Sequence, residues 1–169
     1  IGSHTQHARR HKDWAAATQY EYLADSLWSD HAYGRNAVYP HGDHGNALLS
    51  RYPIRSHRNH DVSSAGNETR GFLHCVIDVA GAMVHTICVH LGLFERERRQ
   101  QLDLLCRLIE REVPADAPLI VAGDFNDWRE RAHECLSKGA GLRDVFVSAT
   151  GRAARTFPAR WPLLALDRI

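Results

Sequence analysis

The sequence predicts an α+β domain, and three observations carry that prediction. Residues 72–91 hold two strand-like runs on either side of Ala80-Gly81, the pattern of an antiparallel hairpin. Residues 95–111, ERERRQQLDLLCRLIER, set Leu102, Leu105 and Ile109 on one stripe of a helix. Strands and helices follow one another without the strict alternation of a parallel sheet, which favours α+β over doubly wound α/β.

In chain order, residues 7–28 read as a helix: Ala16, Tyr20, Leu23 and Leu27 recur at helical spacing, with Arg and Lys on the other face. Tyr33 to Tyr52 is strand-like and is expected to be broken by a loop at PHGDHG. The polar stretch RSHRNHDVSSAGNET (55–69) reads as loop. In the first strand of the hairpin, Leu73, Cys75, Ile77 and Val79 alternate with Phe72, His74, Val76 and Asp78, and Met83 to Leu91 returns. Pro114 and Pro118 close the helix that follows. Leu119 to Ala122 is a short apolar strand, and a second short helix is expected over 129–137. The tail RTFPARWPLLALDRI reads as loop, with a strand beginning at Leu163 or Leu164.

A chain of 169 residues suits one domain. A compact domain of that size buries roughly 70% of its unfolded surface and needs no staples. The net charge of +1 gives no general pull toward nucleic acid or an anionic membrane, although a local basic patch is compatible with it. Cys75, Cys88, Cys106 and Cys135 form no CxxC pair. They read as buried thiols, compatible with a reducing, cytoplasmic setting. No apolar run approaches the roughly 18 residues of a membrane span, and no obligate protein partner is evident.

Chemistry concentrates in a few places. In GDFND (123–127), residues two apart share a side of an extended segment, so Asp124 and Asn126 can face one site while Phe125 packs away from it. A carboxylate beside a neutral amide suits a phosphate ester: Asp can bind Mg²⁺ or orient water, and the amide can donate to a phosphoryl oxygen. An Asx turn at a strand end would use the same residues. His90 closes a strand before a Gly-bearing loop, a place for a general acid or base, and equally for a structural histidine. Asp167 follows an apolar run and calls for a partner, a histidine or a metal. Arg70, beside Gly71, can hold a phosphate through two N–H groups or remain solvated. His4, His7 and His11 have helical spacing, but no nearby carboxylate or Cys completes a metal set.

Taken together, GNALLSRYPI (45–54), ETRGFL (68–73), HLGL (90–93), GDFND (123–127) and LDRI (166–169) resemble, in order, the motifs of the endonuclease/exonuclease/phosphatase superfamily of metal-dependent phosphoesterases. The resemblance is closer to the deoxyribonuclease, sphingomyelinase and phosphatase-like branches than to abasic-site endonucleases, which usually carry Tyr where this chain has His90. It implies a four-layer α/β sandwich of two mostly antiparallel sheets with helices outside. It also implies in-line attack of water on phosphorus, with His90, Asp124, Asn126 and Asp167 as catalytic residues. Arg70 and Asn126 would bind substrate, and Asp124 and Asn126 would hold Mg²⁺, with Mn²⁺ as a substitute. The substrate would be nucleic acid, a phospholipid headgroup or a small phosphate ester, most readily a phosphodiester. A non-catalytic member acting as a binding module is the alternative.

The family's metal-binding Glu is expected upstream of residue 1 and its Ser-Asp-His motif downstream of residue 169, so residues 1–169 read as one domain incomplete at both termini. Ser29-Asp30-His31 stands in the wrong order to replace that motif, and Asp43-His44 is set aside with it.

Overall fold

The computed structural model describes residues 2–3, 21–24, 28–40, 42–66, 68–128 and 131–169. The helix expected over 7–28 lies largely outside them, although 21–24 are helical, and His4, His7 and His11 lie outside them too. The fold is α+β with two sheets of mostly antiparallel strands. The chain divides at Cys88/Val89 into two compact units.

In the first unit, β1 (Gly2–Ser3), β2 (Asp30–Tyr39) and β3 (Gly42–Ser50) form a sheet in the order β1-β3-β2. The loop expected at PHGDHG is far tighter than that: β2 and β3 pair from Asp30↔Ser50 to Tyr39↔Gly42. Gly42 to Gly45 are therefore strand residues. Turn-forming side chains are overridden here by a long cross-strand ladder with one bulge between Arg35 and Ala37, and the Tyr33 hydroxyl adds a bond to Asp43 Oδ1 at 2.7 Å. Asp30 has a structural task. Its Oδ2 accepts from Ile54 N–H at 2.8 Å and so ties β2 to the next strand.

That strand, β4 (Ile54–Asp61), corrects the loop expected at 55–69. It pairs with β5 (Gly71–Val79) from Ile54↔Ile77 to Asp61↔Gly71. β4 stands at the sheet edge and most of its side chains face water. An edge strand gains its place from backbone pairing and needs no apolar alternation. The β5–β6 hairpin forms as expected, with β6 at Ala82–His90 and Ala80 (φ 52°) and Gly81 (φ 93°) both left-handed in the turn. β2 and β3 pack on β4 and β5. Ala32, Leu73 and Cys75 are buried there, with Leu48, Ile54 and Cys88 against them. Burial pushes the Cys75 thiol up to about 12 and the Cys88 thiol up to about 11, and all four cysteines are free.

The second unit takes the last two residues of β6, then α1 (Glu95–Glu112), β7 (Leu119–Asp124), α2 (Arg131–Ala140), α3 (Val145–Thr150) and β8 (Asp167–Arg168). Its strand order is β6-β7-β8. α1 buries Leu102, Leu105 and Ile109 as its stripe predicts, and also Leu108 and Gln101, whose Oε1 accepts from Gly92 N–H at 2.8 Å. That bond clamps the loop leaving β6 onto the helix. α3 was not anticipated, although both end signals stand in the sequence: Asp144 accepts from Val147 N–H, and Gly151 closes the helix at φ 76°. The final strand starts at Asp167 rather than Leu163 or Leu164, since Leu164 makes only an isolated bridge to Phe157. No helix among the described residues is long and apolar enough to cross a membrane.

Candidate active site at the strand ends

In the second unit, β6 and β7 finish side by side. Leu91 N–H, just past β6, donates to the carbonyl of Asp124, the last residue of β7, at 2.9 Å. On the other side of β7, Asp124 stands directly opposite Asp167 and Gly123 opposite Arg168. His90, Asp124 and Asp167 thus occupy neighbouring strand ends, and the structure brings these three predicted residues together. Ends of adjacent strands are where open sheets present ligand-binding groups.

His90 Nε2 lies 3.8 Å from Asp124 Oδ2, with both side chains about one-third exposed (38% and 33%). The other Asp124 oxygen accepts from Asn126 N–H at 2.8 Å, which orients the carboxylate and shapes the turn. Asn126 is left-handed at φ 47°, a conformation Asn tolerates better than most residues. It is buried, and its side-chain amide donates to Leu91 O at 2.8 Å. The turn that the sequence allowed is therefore present, and it is the device that aims Asp124. Phe125 packs away from the site as expected, 2% exposed.

Asp167 is exposed, so it has no burial penalty that demands a partner. Its significance lies in facing Asp124. Like charges directly opposite on paired strands are destabilising, and two carboxylates with room between them and water are the oxygen donors a hard divalent cation takes. The donor chemistry of the site therefore fits such an ion. Beneath it, Arg168 is buried, reaching Asp144 Oδ2 at 3.6 Å and Asp127 O at 3.2 Å. Asp127 Oδ2 accepts from Ala132 N–H at 2.6 Å and fixes the start of α2. Neither Arg168 nor Asp127 was predicted to support the site.

Arg70 lies in the first unit, nearly buried, with Nη2 on Glu68 Oε2 at 2.8 Å. The second Glu68 oxygen bonds His44 Nε2 at 2.7 Å and the Tyr39 hydroxyl. Glu68 was missed by sequence reasoning, and His44 was set aside there. The available signal was Glu68 two residues before Arg70, which on an extended segment shares its side.

The Tyr39 hydroxyl, then His44 and Arg70, holds the Glu68 carboxyl below the usual glutamate range against the opposing effect of burial. A depressed folded pKa contributes stability that is complete above the unfolded value, about 4.3, and is lost as pH falls through the folded one. Glu68→Gln is therefore expected to melt below wild type at pH 7, with the gap closing as pH drops below about 4. Thermal melts across pH 3 to 7 check this, and a gap independent of pH would contradict it.

Residues 5–169 match the family described as the Endonuclease/Exonuclease/phosphatase family. The chain belongs to that family. It is similar to YbhP of Escherichia coli (strain K12), 52% identical over 171 residues that cover 100% of this chain and 67% of YbhP. It is also similar to protein cwh43 of Schizosaccharomyces pombe, 30% identical over 104 residues, 60% of this chain and 10% of cwh43. Among solved structures, D. rerio TDP2 complexed with single strand DNA product matches with TM-score 0.63 and 17% identity, over 88% of this chain and 64% of that one. The mannosyl-6-phosphatase Bt3783 of Bacteroides thetaiotaomicron matches with TM-score 0.68 and 14% identity, over 89% and 65%. These structural likenesses show the fold. The chain spans less than two thirds of either solved chain.

Proposed function

We propose that the protein hydrolyses phosphate esters, most readily a phosphodiester, using a divalent cation, Mg²⁺ or in its place Mn²⁺. The observation that carries this reading is the meeting of His90, Asp124 and Asp167 at neighbouring strand ends. Family membership supports it, as do the likenesses to a mannosyl-6-phosphatase and to TDP2 complexed with a single strand DNA product. Asp124 would hold the cation, with Asp167 facing it and Asn126 beside it; when bound, the cation supplies charge compensation at the phosphoryl oxygens. Asp124 also orients an attacking water. His90, within reach of Asp124 and partly exposed, acts as a general acid or base. Nucleic acid, a phospholipid headgroup and a small phosphate ester all present the group these residues recognise.

Assay of the intact protein on a panel of phosphodiesters and monoesters, with and without Mg²⁺, tests this reading. Metal-dependent release of product from a diester is the expected result. Binding of a diester without turnover would instead favour the non-catalytic module. Independently of activity, millimolar Mg²⁺ is expected to raise the melting temperature of wild type and not that of Asp124→Asn/Asp167→Asn, because a ligand that binds only the folded state stabilises it by mass action. An equal rise in both would place the ion elsewhere.

A further inference from the structure

Residues 157–164, FPARWPLL, form a small ordered hairpin with every residue exposed. Phe157 and Leu164 form an antiparallel bridge, with Phe157 N–H donating to Leu164 O at 3.1 Å and Leu164 N–H to Phe157 O at 2.8 Å. Leu163 N–H also donates to Phe157 O at 2.8 Å, and Trp161 N–H closes the turn on Pro158 O at 3.1 Å. Trp161 is 74% exposed, Leu163 66% and Phe157 52%. Single exposed apolar side chains are ordinary, but several large ones gathered on one hydrogen-bonded hairpin mark an interaction surface.

The backbone narrows the kind of partner. Phe157, Trp161, Leu163 and Leu164 spend their N–H groups inside the hairpin, and Pro158 and Pro162 have none. A segment that enters an apolar layer must satisfy its polar backbone groups internally. The charge narrows it further. From Val145 to Leu166 there are three arginines, Arg152, Arg155 and Arg160, all exposed, and no Asp or Glu, in a chain whose net charge is only +1. Aromatic rings at the headgroup level beside arginines are the composition of a segment that lies in a membrane interface.

We infer that this hairpin docks on a lipid surface rich in anionic headgroups, with Phe157, Trp161 and Leu163 entering the headgroup–acyl boundary and Arg152, Arg155 and Arg160 meeting phosphates. Single-stranded nucleic acid would also use Trp161 and the arginines, but it would leave Leu163 and Leu164 without a partner. The inference is independent of the hydrolytic reading.

Sedimentation of the intact protein with phosphatidylcholine vesicles, with and without about one third phosphatidylglycerol, tests it. The protein is expected to pellet with the anionic vesicles, less as salt rises, and about tenfold more weakly or worse with phosphatidylcholine alone. Trp161→Ser/Leu163→Ser is expected to lower the partition at least about tenfold while keeping the wild-type melting temperature. Arg155→Gln/Arg160→Gln is expected to cost about fivefold per arginine on anionic vesicles. Failure to pellet with anionic vesicles at low salt, or a serine variant that pellets like wild type, would overturn the inference. So would an oligonucleotide bound through Trp161 while vesicles are ignored.

Discussion

Asp124→Ala is expected to lower kcat/KM on the best diester by at least about 100-fold, the size typical of losing a group that acts in the transition state. Asp124 is the shared member of the site: it lies 3.8 Å from His90, stands opposite Asp167 and is oriented by Asn126 N–H. Its replacement therefore removes the neighbour of the histidine and, on the proposed reading, the cation ligand and the water-orienting group together. The fold is expected to survive, because the side chain is one-third exposed and its structural bond is the one to Asn126 N–H. A net loss of about 1 kcal/mol is usual for such a bond. Asp124→Asn keeps an acceptor for Asn126 and loses the charge, so it should melt like wild type and still be inactive. Steady-state kinetics beside circular dichroism checks both variants, and a folded Asp124→Ala with near-normal turnover would sink the assignment.

Gly123→Ala is expected to destabilise the protein by about 4 kcal/mol or more, in the range of the most damaging substitutions, and to lower the melting temperature by about 10 °C. A Cβ at residue 123 would come 2.0 Å from Val89 O, backbone on the neighbouring strand, and the residue sits at φ 143°, where side chains are rarely found. The carbonyl of Val89 cannot move aside without parting β6 from β7, the two strands that carry His90 and Asp124. Gly141→Ala is the matched control: φ is +64° there, but nothing lies within 4 Å of the new methyl. Its cost should be about 1–2 kcal/mol from backbone strain alone. Equal melting temperatures for the two variants would show that β6 and β7 yield more easily than this packing allows.

The site was legible in the sequence to the extent that its chemistry is local. GDFND announced a strand end with a turn, and HLGL a histidine before a glycine loop. That the turn and the functional residues are one object was not legible, because it rests on Asn126 bonding Leu91, 35 residues away. The pairing of the buried side chains of Arg168 and Asp144 was not legible for the same reason.

The sequence by itself determined the α+β class, the β5–β6 hairpin, the apolar stripe of α1, the short strand of β7 and, through the order of five short motifs, membership of the endonuclease/exonuclease/phosphatase family. Each is written in a period of two or 3.6 residues, a turn dipeptide or a contiguous motif, so neighbours along the chain suffice to show it. Only the tertiary structure decided that RSHRNHD is a strand, that Gly42 to Gly45 pair rather than loop, that Asp124 faces Asp167, and that the residues of the 157–164 hairpin are exposed. Those outcomes depend on which distant backbone supplies the hydrogen bonds. A polar segment paired with a buried strand folds as a strand, and an apolar segment whose backbone is satisfied within itself can stay outside the core.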